Sequence, residues 1–260
     1  MVPSPSPSRA PTQAVAALQD VQLSLGGRVI LDGLSLTLQP GTKTALLGES
    51  SCGKSVLLKT LVGLFRPQRG RALLFGRDLA QASPRELATL RRRIGMQFQA
   101  GALFDSIPVQ LNLWLASQES SRGSKLQNPV TEADILDLLG QVGLREAADR
   151  LPASLSGGMR KRAALARALI GDPELAIFDE PTAGLDPQTS SLIINLLNNL
   201  AQNSQAAMIL ATTDPDVARR FTDQVILIRA GQAYATGSLT ELRARGDPYI
   251  DNYLQRQLVV

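Results

Sequence analysis

The feature that most constrains the fold of this chain is an eight-residue stretch, GESSCGKS, at residues 48–55. Its glycine, lysine and serine positions have the G-x-x-x-x-G-K-S spacing of a phosphate-binding loop. An apolar run, ALL at residues 45–47, precedes the loop, and Leu57, Leu61 and Leu64 follow it at helical spacing. A strand, a glycine loop and a helix in this order predict an α/β fold that binds phosphate through backbone N–H groups and the positive end of the helix.

Composition limits the classes of protein to which this chain can belong. With 260 residues, of which 44% are hydrophobic, the chain is long enough to bury the core of one large α/β domain. One cysteine and no histidine exclude an internal disulfide bond, a Ser-His-Asp triad and a histidine-bearing zinc site. No run approaches the roughly 18 consecutive apolar residues that span a bilayer, so we expect a soluble or peripheral protein. The net charge of +4 is typical of solvated surface charge.

Patterns along the chain predict a mixed architecture. Residues 1–15 are rich in proline and serine, which predicts a disordered tail. Short alternating runs between residues 16 and 44 predict antiparallel strands, and helical periodicity over about 85–165 predicts a mainly helical insertion. Beyond the insertion, helix and strand patterns alternate, as in a parallel α/β core.

Two acidic residues follow the apolar run LAIF at residues 175–178. They stand where a buried strand is predicted to end, beside the phosphate-binding loop. There Asp179 is suited to bind the Mg²⁺ of a nucleotide, together with the hydroxyl of Ser55. Glu180, one residue later, is suited to face the attacking water as its general base.

The most specific signal of a family is the stretch LSGGMRKR at residues 155–162. Together with the two motifs above, in this order and on either side of a helical insertion, it resembles the signature motif of ABC ATPases. The resemblance covers about residues 16–245 and implies binding of ATP and Mg²⁺ and hydrolysis of ATP. It also implies a P-loop NTPase (RecA-like) core with an antiparallel β-subdomain and a helical signature subdomain. We therefore expect an ATPase domain at 16–246 and a C-terminal tail segment at 247–260.

The resemblance assigns roles to single residues. It implies that Ser156, Gly157 and Gly158 open a helix and contact the γ-phosphate of ATP bound to the opposite subunit. Gln99 then contacts both Mg²⁺ and the attacking water, and Asp186 is the D-loop acid at the dimer interface. The predicted catalytic residues are Glu180, Gln99 and Thr213, and the predicted metal ligands are Ser55, Gln99 and Asp179. The predicted ATP-binding residues are Gly48, Glu49, Ser50, Ser51, Cys52, Gly53, Lys54 and Ser55.

Three positions depart from the family pattern. Thr213 stands where the family usually has a histidine that contacts the γ-phosphate. Threonine donates a hydrogen bond but is shorter and carries no positive charge, so we expect slow hydrolysis or a requirement for the membrane partner. Leu25 replaces an aromatic residue that stacks on adenine, which predicts loose base selectivity. Ser51 replaces a glycine common in such loops, which costs strain if the position requires a positive φ.

Three segments are similar to one branch of the family, the Mla/Mce-associated ATPases of phospholipid trafficking and organic-solvent resistance. They are residues 99–106, 156–169 and 247–254. The similarity implies a homodimer that closes on ATP and drives an integral membrane permease, which moves phospholipid between membranes. It further implies an Mce-type lipid-binding partner and a peripheral location on the cytoplasmic face of the inner membrane, or its stromal equivalent in a plastid.

Other functions remain open from the sequence. If residues 100–106 are only an apolar surface beneath any permease, the cargo is another small solute such as an amino acid, an ion or a metal chelate. A non-transport ABC ATPase acting on DNA or ribosomes usually carries paired cassettes or long coiled coils, which are absent here, so we expect no nucleic acid partner. A P-loop kinase or GTPase would leave residues 155–158 unexplained.

Overall fold

The computed structural model describes residues 13–98, 103–121, 129–202, 205–222 and 224–255. None of the helices in these ranges is long and apolar enough to span a bilayer. The strands are β1 (Ala16–Leu25), β2 (Arg28–Leu38), β3 (Lys43–Leu47), β4 (Arg69–Leu74), β5 (Arg77–Asp78), β6 (Ile94–Gln97), β7 (Leu175–Asp179), β8 (Ala207–Thr212), β9 (Val225–Arg229) and β10 (Gln232–Gly237). The α-helices are α1 (Lys54–Leu61), α2 (Pro84–Arg91), α3 (Val109–Ser121), α4 (Glu132–Gln141), α5 (Gly157–Leu169), α6 (Pro187–Gln202), α7 (Pro215–Phe221), α8 (Leu239–Ala244) and α9 (Pro248–Gln255).

A six-stranded sheet with the order β10-β9-β3-β8-β7-β6 forms the centre of the described fold. The strands from β9 to β6 are parallel, and β10 pairs antiparallel with β9. Strands β7 and β8 are buried along their whole length, as expected for parallel strands covered on both faces. In β3, Leu46 packs in a cluster with α1, whereas Leu47 packs in a second cluster with α5, α6, α7 and α9. The predicted parallel α/β core is confirmed.

A second sheet, with the order β2-β1-β4-β5, is antiparallel throughout. Its register pairs Ala16 with Leu38 and Leu25 with Arg28. Burial alternates over residues 34–38 of β2, and Val21 and Leu23 of β1 join the same cluster around α1, which is why these stretches show a two-residue period in the sequence. The antiparallel strands predicted between residues 16 and 44 are confirmed.

Helix α1 is shorter than its leucine pattern predicts. It ends at Leu61 because Gly63 adopts a left-handed φ of 72°. The N–H of Gly63 donates to the carbonyl of Thr60 and the N–H of Leu64 to that of Lys59, the paired bonds of a Schellman cap. Leu64 is therefore 47% exposed, and its placement on the buried helical face was wrong.

The predicted helical insertion contains α3, α4 and the start of α5, which pack together in a third hydrophobic cluster. Its predicted range of about 85–165 also includes β6, the edge strand of the six-stranded sheet. Strand β6 was not predicted, because its four residues, IGMQ, are too few for a strand period to be recognised.

Both predicted tail segments are partly within the described chain. Val15, assigned to the disordered tail, is buried, and its N–H donates to the carbonyl of Leu38 at 2.9 Å. The domain therefore includes the last residue of that segment, while residues 1–12 lie outside the described chain. The C-terminal segment forms α9, which buries Ile250, Tyr253 and Leu254 in the second cluster. Residues 256–260 lie outside the description.

Candidate active site

The candidate site lies at the carboxyl edge of the six-stranded sheet, where β3, β8 and β7 are neighbours. The parallel register sets Leu47 beside Thr212 and Asp179 beside Ala211. Three segments that are far apart in the chain therefore meet: the loop at 48–55, the acids that end β7, and Thr213. Carboxyl ends of parallel strands are the usual place for a ligand in such a sheet.

The loop at 48–55 approaches its neighbours too closely for side chains at its two glycines. A Cβ at Gly48 would lie 2.6 Å from the carbonyl oxygen of Ile228, and one at Gly53 would lie 3.0 Å from that of Ile30. Gly53 has a φ of 108° and precedes α1 as its N-cap, so the first N–H groups of α1 have no side-chain cap. Uncapped N–H groups at a helix start are the donors that a phosphate requires.

Ser51 adopts a left-handed φ of 63°. This position therefore does require a positive φ, and a serine in place of the usual glycine is strained there. Glu180, across the cleft, has a φ of 50°. Each costs of order 1 kcal/mol for a residue with a Cβ. Strained backbone at two facing positions indicates that the surrounding fold holds this edge in a fixed shape.

Lys54 is only 6% exposed and folds back over the loop. Its ammonium donates to the carbonyl oxygens of Gly48, at 2.8 Å, and Glu49, at 3.1 Å. The same ammonium lies 3.5 Å from Glu180 Oε1. A negatively charged phosphate entering the loop would therefore compete with Glu180 for this cation.

Asp179 is 2% exposed at the end of β7. Burial raises the pKa of its carboxyl, although a hydrogen bond from the Ser55 hydroxyl and the charge of Lys54 favour the ionised form. Its Oδ1 atom is buried with no hydrogen-bond partner. A buried carboxylate oxygen without a donor, next to a serine hydroxyl, fits a hard cation such as Mg²⁺.

Glu180 extends the site toward Thr213. Its N–H donates to the carbonyl of Ala211 at 3.0 Å, two residues before Thr213 in the chain. Burial is the largest influence on the Glu180 carboxyl and raises its pKa, while Lys54 and the Thr213 N–H act in the opposite direction. A glutamate with a raised pKa is better matched to taking up a proton near neutral pH.

Lys54 and Glu180 border an open cleft of about 410 Å³. Its lining combines loop residues from Ser50 to Val56 with Ile30 on one side and Glu180 on the other. The cleft thus offers backbone donors, one lysine and one acid with a raised pKa, Glu180, while Asp179, its neighbour in the chain, is buried. No three histidine, cysteine or acidic side chains in the described ranges cluster as a metal site.

The predicted signature residues form a second group. Ser156 is the N-cap of α5, with its Oγ accepting from the Met159 N–H at 3.2 Å. Asp186 caps α6 in the same way, because its Oδ1 accepts from the Thr189 N–H at 2.9 Å and its Oδ2 from the Thr189 hydroxyl at 2.6 Å. These two hydrogen bonds lower the pKa of Asp186. A Cβ on Gly158 would lie 3.3 Å from Thr189 Cγ2, so the two helix starts are adjacent.

Within the described chain, the signature group does not line the cleft. The lining contains neither Ser156 nor Gly157, Gly158 or Asp186. The structure thus brings together the loop at 48–55, Asp179, Glu180 and Thr213, and it leaves the signature residues exposed at another surface. Gln99 lies outside the described residues.

One residue of the site was missed by the sequence analysis. The Tyr253 hydroxyl, in α9, donates to the carbonyl of Thr213 at 2.7 Å. The two residues are 40 positions apart, and the spacing of α9 indicates only that Tyr253 faces a core, so no local pattern could have revealed this contact.

The fold and site define a P-loop nucleotide hydrolase with a helical insertion. The sequence profile of the ABC transporter family matches residues 31–183. The ATP-binding protein MlaF of the intermembrane phospholipid transport system of Escherichia coli (strain K12) is 35% identical over 245 residues, 93% of this chain and 90% of that protein. The methionine import ATP-binding protein MetN of Mesorhizobium japonicum is 37% identical over 240 residues, 92% of this chain and 64% of that protein. The chain therefore belongs to the ABC transporter family.

A solved structure supports the same assignment. It is the dimeric, post-hydrolysis state of the ATP-binding cassette MJ0796 bound to ADP and Pi, which aligns with a TM-score of 0.76 at 27% identity over 86% of this chain and 98% of that one. The predicted fold class and the predicted ATP-hydrolysing activity are confirmed.

Proposed function

We propose that two copies of this chain close on two molecules of Mg-ATP and use this closure to drive a permease that moves phospholipid between membranes. The observation that carries the proposal is the cleft between the loop at 48–55 and Glu180, in a chain 35% identical to MlaF over 93% of its length. Each chemical role follows from the position of a side chain in that cleft.

The loop and Lys54 bind the phosphates of ATP. Backbone N–H groups at the start of α1 point to the loop, and Lys54 leaves Glu180 for the terminal phosphates. Release from Lys54 frees the Glu180 carboxylate. It then accepts a proton from the attacking water, whose oxygen bonds to the γ-phosphorus as the bond to the ADP oxygen breaks.

The Mg²⁺ that accompanies the nucleotide would be held by Ser55 and Asp179, with Gln99 as a further proposed ligand. When bound, this cation neutralises charge on the β- and γ-phosphates. Its charge would also compensate the buried Asp179 carboxylate, whose Oδ1 atom has no protein partner.

A second copy supplies the rest of the site. Ser156, Gly157 and Gly158 do not line the cleft of their own chain, and they stand at the start of a 13-residue helix whose positive end suits a γ-phosphate. Two copies related by a two-fold axis would each close the other's cleft, with Asp186 at the joint. Hydrolysis then adds charge repulsion between products and opens the pair.

The permease is proposed to dock where apolar side chains are exposed on the insertion. Phe104 is 51% exposed, Trp114 44% and Leu151 44%. All three belong to the insertion, where the buried Asn112 side chain of α3 binds both main-chain groups of Phe104 and the Val109 N–H donates to the carbonyl of Arg150. Exposed apolar groups concentrated in one region are typical of a protein interface.

Lipid cargo rests on the similarity to MlaF, and the same similarity motivates an Mce-type partner and a peripheral location on the cytoplasmic face of the inner membrane. A second candidate is import of a small solute. It is favoured by the 37% identity to MetN, although the chain spans only 64% of that protein.

The two candidates are separated by purification from membranes. The tagged chain is extracted from membranes in detergent, and its partners are identified by mass spectrometry. ATP hydrolysis by the purified complex is then measured in vesicles with and without added phospholipid. We expect an integral membrane protein and bound phospholipid to co-purify. Stimulation by an amino acid and not by phospholipid would favour the importer, and retention of nucleic acid without a membrane protein would contradict both. Trp114→Ala should weaken co-purification, whereas Leu192→Ala, at an exposed leucine of α6, should not.

A further inference from the structure

One short segment, residues 181–185, connects the cleft to the region beside the start of α5 within a single chain. It follows Glu180 directly and precedes Asp186, which caps α6. The first two residues of this connecting segment are buried, and the next two are exposed. The Ala183 N–H donates to the carbonyl of Glu180 at 3.3 Å, so a displacement of Ala183 acts on the main chain of the proposed base.

The first turns of α5 hold the connecting segment at two points. The ammonium of Lys161 donates to the carbonyl of Ala183. Gly158 lies three residues earlier, on the same face of the helix. A Cβ at Gly158 would lie 3.8 Å from Leu185 Cδ2, so the helix start packs closely on the end of the segment. One polar and one apolar contact therefore join α5 to residues 181–185.

The polar contact restrains the exposed part of the connecting segment. A hydrogen bond from an ammonium to a carbonyl oxygen is stronger than one between neutral groups. At Gly184, the residue after Ala183, φ is 70°, and a Cβ would meet no atom of the described residues within 4 Å. Because the space around the segment is open there, its position depends on the contacts with α5.

In the proposed pair of chains, the bond from Lys161 would link two different molecules of ATP. The start of α5 would face the γ-phosphate in the partner's cleft, whereas Glu180 of the same chain would serve its own cleft. A movement of α5 as it engages the partner's ATP would carry Lys161, and with it the carbonyl of Ala183. The main chain beside the proposed base would then move in response to the second nucleotide.

We infer that Lys161 is a positioning residue that couples the two ATP sites, because it ties the segment after Glu180 to the helix that engages the partner's ATP. The inference rests on the proposed closure of two chains on two molecules of ATP. It assigns to that closure a route by which ATP in one cleft promotes hydrolysis in the other.

The test is Lys161→Met, which keeps an unbranched side chain of similar length and removes the ammonium. Because Lys161 is only half-buried, the fold should be kept. Lys161→Arg retains a cationic donor. The matched control is Arg245→Met, since Arg245 also donates to a main-chain carbonyl at the surface, that of Thr236 at 2.8 Å, and does not line the cleft. The rate of hydrolysis is measured against ATP concentration for the full-length proteins, purified with any membrane protein that accompanies them.

For Lys161→Met we expect kcat to fall by about five- to tenfold, the lower end of typical coupling between sites, and the Hill coefficient for ATP to fall to about 1. The ATP concentration at half-maximal rate should change less than twofold, since Lys161 is not proposed to touch the nucleotide. Lys161→Arg and Arg245→Met should keep the Hill coefficient of the unsubstituted protein. Equal Hill coefficients in Lys161→Met and Arg245→Met would overturn the inference, as would a failure of arginine to restore the coefficient.

Formation of the ATP-bound pair separates this inference from the proposed function. The double variant Lys161→Met, Glu180→Gln should still form a dimer in Mg-ATP, measured by size-exclusion chromatography. If Glu180→Gln formed the dimer and the double variant did not, the inference would be overturned, because Lys161 would then support the contact with the partner's ATP. If Glu180→Gln bound ATP and stayed monomeric, the proposed pair would itself be wrong, and the inference with it.

Discussion

Two aspartates of this fold show how burial and partners set the charge of a carboxyl. Both are nearly inaccessible, Asp179 at 2% and Asp78 at 8%. Burial raises the pKa of Asp179, whose Oδ1 has no donor. For Asp78 burial acts in the same direction, but the N–H of Ala80 and the guanidinium of Arg71 outweigh it and lower the pKa. One carboxylate therefore costs stability when ionised, and the other contributes stability.

Asp179→Asn should stabilise the protein in the absence of nucleotide while abolishing Mg-dependent hydrolysis. Since its folded pKa is raised, the aspartate binds its proton more tightly in the folded state, and stability is lost as pH rises from the ordinary value of 3.8 through the raised one. At pH 7 we expect the melting midpoint of Asp179→Asn to rise by about 2–4 °C, the shift that ~1 kcal/mol gives in a protein of this size. The control, Asp78→Asn, should lower the midpoint. A lower melting midpoint for both variants would show that the buried, ionised carboxylate of Asp179 does not destabilise the protein.

Thr213→His should raise turnover by about tenfold, since a longer donor that carries positive charge would reach the γ-phosphate. The measurement is kcat for ATP near pH 6, where histidine is charged, and again near pH 8. Thr236→His, at an exposed position of β10, is the control for adding an imidazole to the chain. Unchanged turnover would contradict the explanation of slow hydrolysis by the shorter side chain.

At the scale of single elements, the serine caps of α5 and α8 form a natural pair. Ser156 and Ser238 each accept a hydrogen bond from the N–H three residues later, at 3.2 and 3.1 Å. Only Ser156 is followed by two glycines that leave the helix start open. A cap and a phosphate contact are therefore distinguishable by comparing the two sites.

Replacing either serine by alanine should cost about 1 kcal/mol of unfolding free energy, the value of an N-cap. Ser156→Ala should in addition lower ATP hydrolysis by about tenfold or more, because a hydrogen bond to a charged phosphate is lost. Chemical denaturation and hydrolysis assays measure the two effects. Equal hydrolysis by both variants would mean that Ser156 serves only its own helix.

Motifs formed by neighbouring residues could be predicted from the sequence. Contacts between residues that are distant in the chain could not. The loop at 48–55 and the strand before Asp179 are each defined by a few adjacent residues, so the sequence alone was enough to predict them. The early end of α1 was missed because Gly63 ends the helix before Leu64 continues its period. The contact of Lys54 with Glu180 depends on strand order, which single segments do not encode.

At the scale of the whole molecule, the two proposed half-sites, the cleft and the start of α5, do not share one lining within the described residues. The cleft at the carboxyl edge of the sheet is lined by the loop at 48–55, with Lys54, and by Glu180, and the start of α5 lies outside this lining. Helix α5 packs with α3 and α4 in the third cluster, and its Leu165 and Ala168 also pack with Phe178 of β7 in the second cluster. We propose that the two surfaces form a complete site in a symmetric pair of chains.

The most direct test of this account is the mass of Glu180→Gln in solution with Mg-ATP, measured by size-exclusion chromatography with light scattering. Without its base the protein should bind ATP and not hydrolyse it, so we expect a stable species of twice the 27.8 kDa chain, which reverts to a monomer in ADP. Lys54→Ala, which lacks the phosphate-binding ammonium, should remain monomeric in both nucleotides. A Glu180→Gln protein that is saturated with ATP yet monomeric would contradict the account.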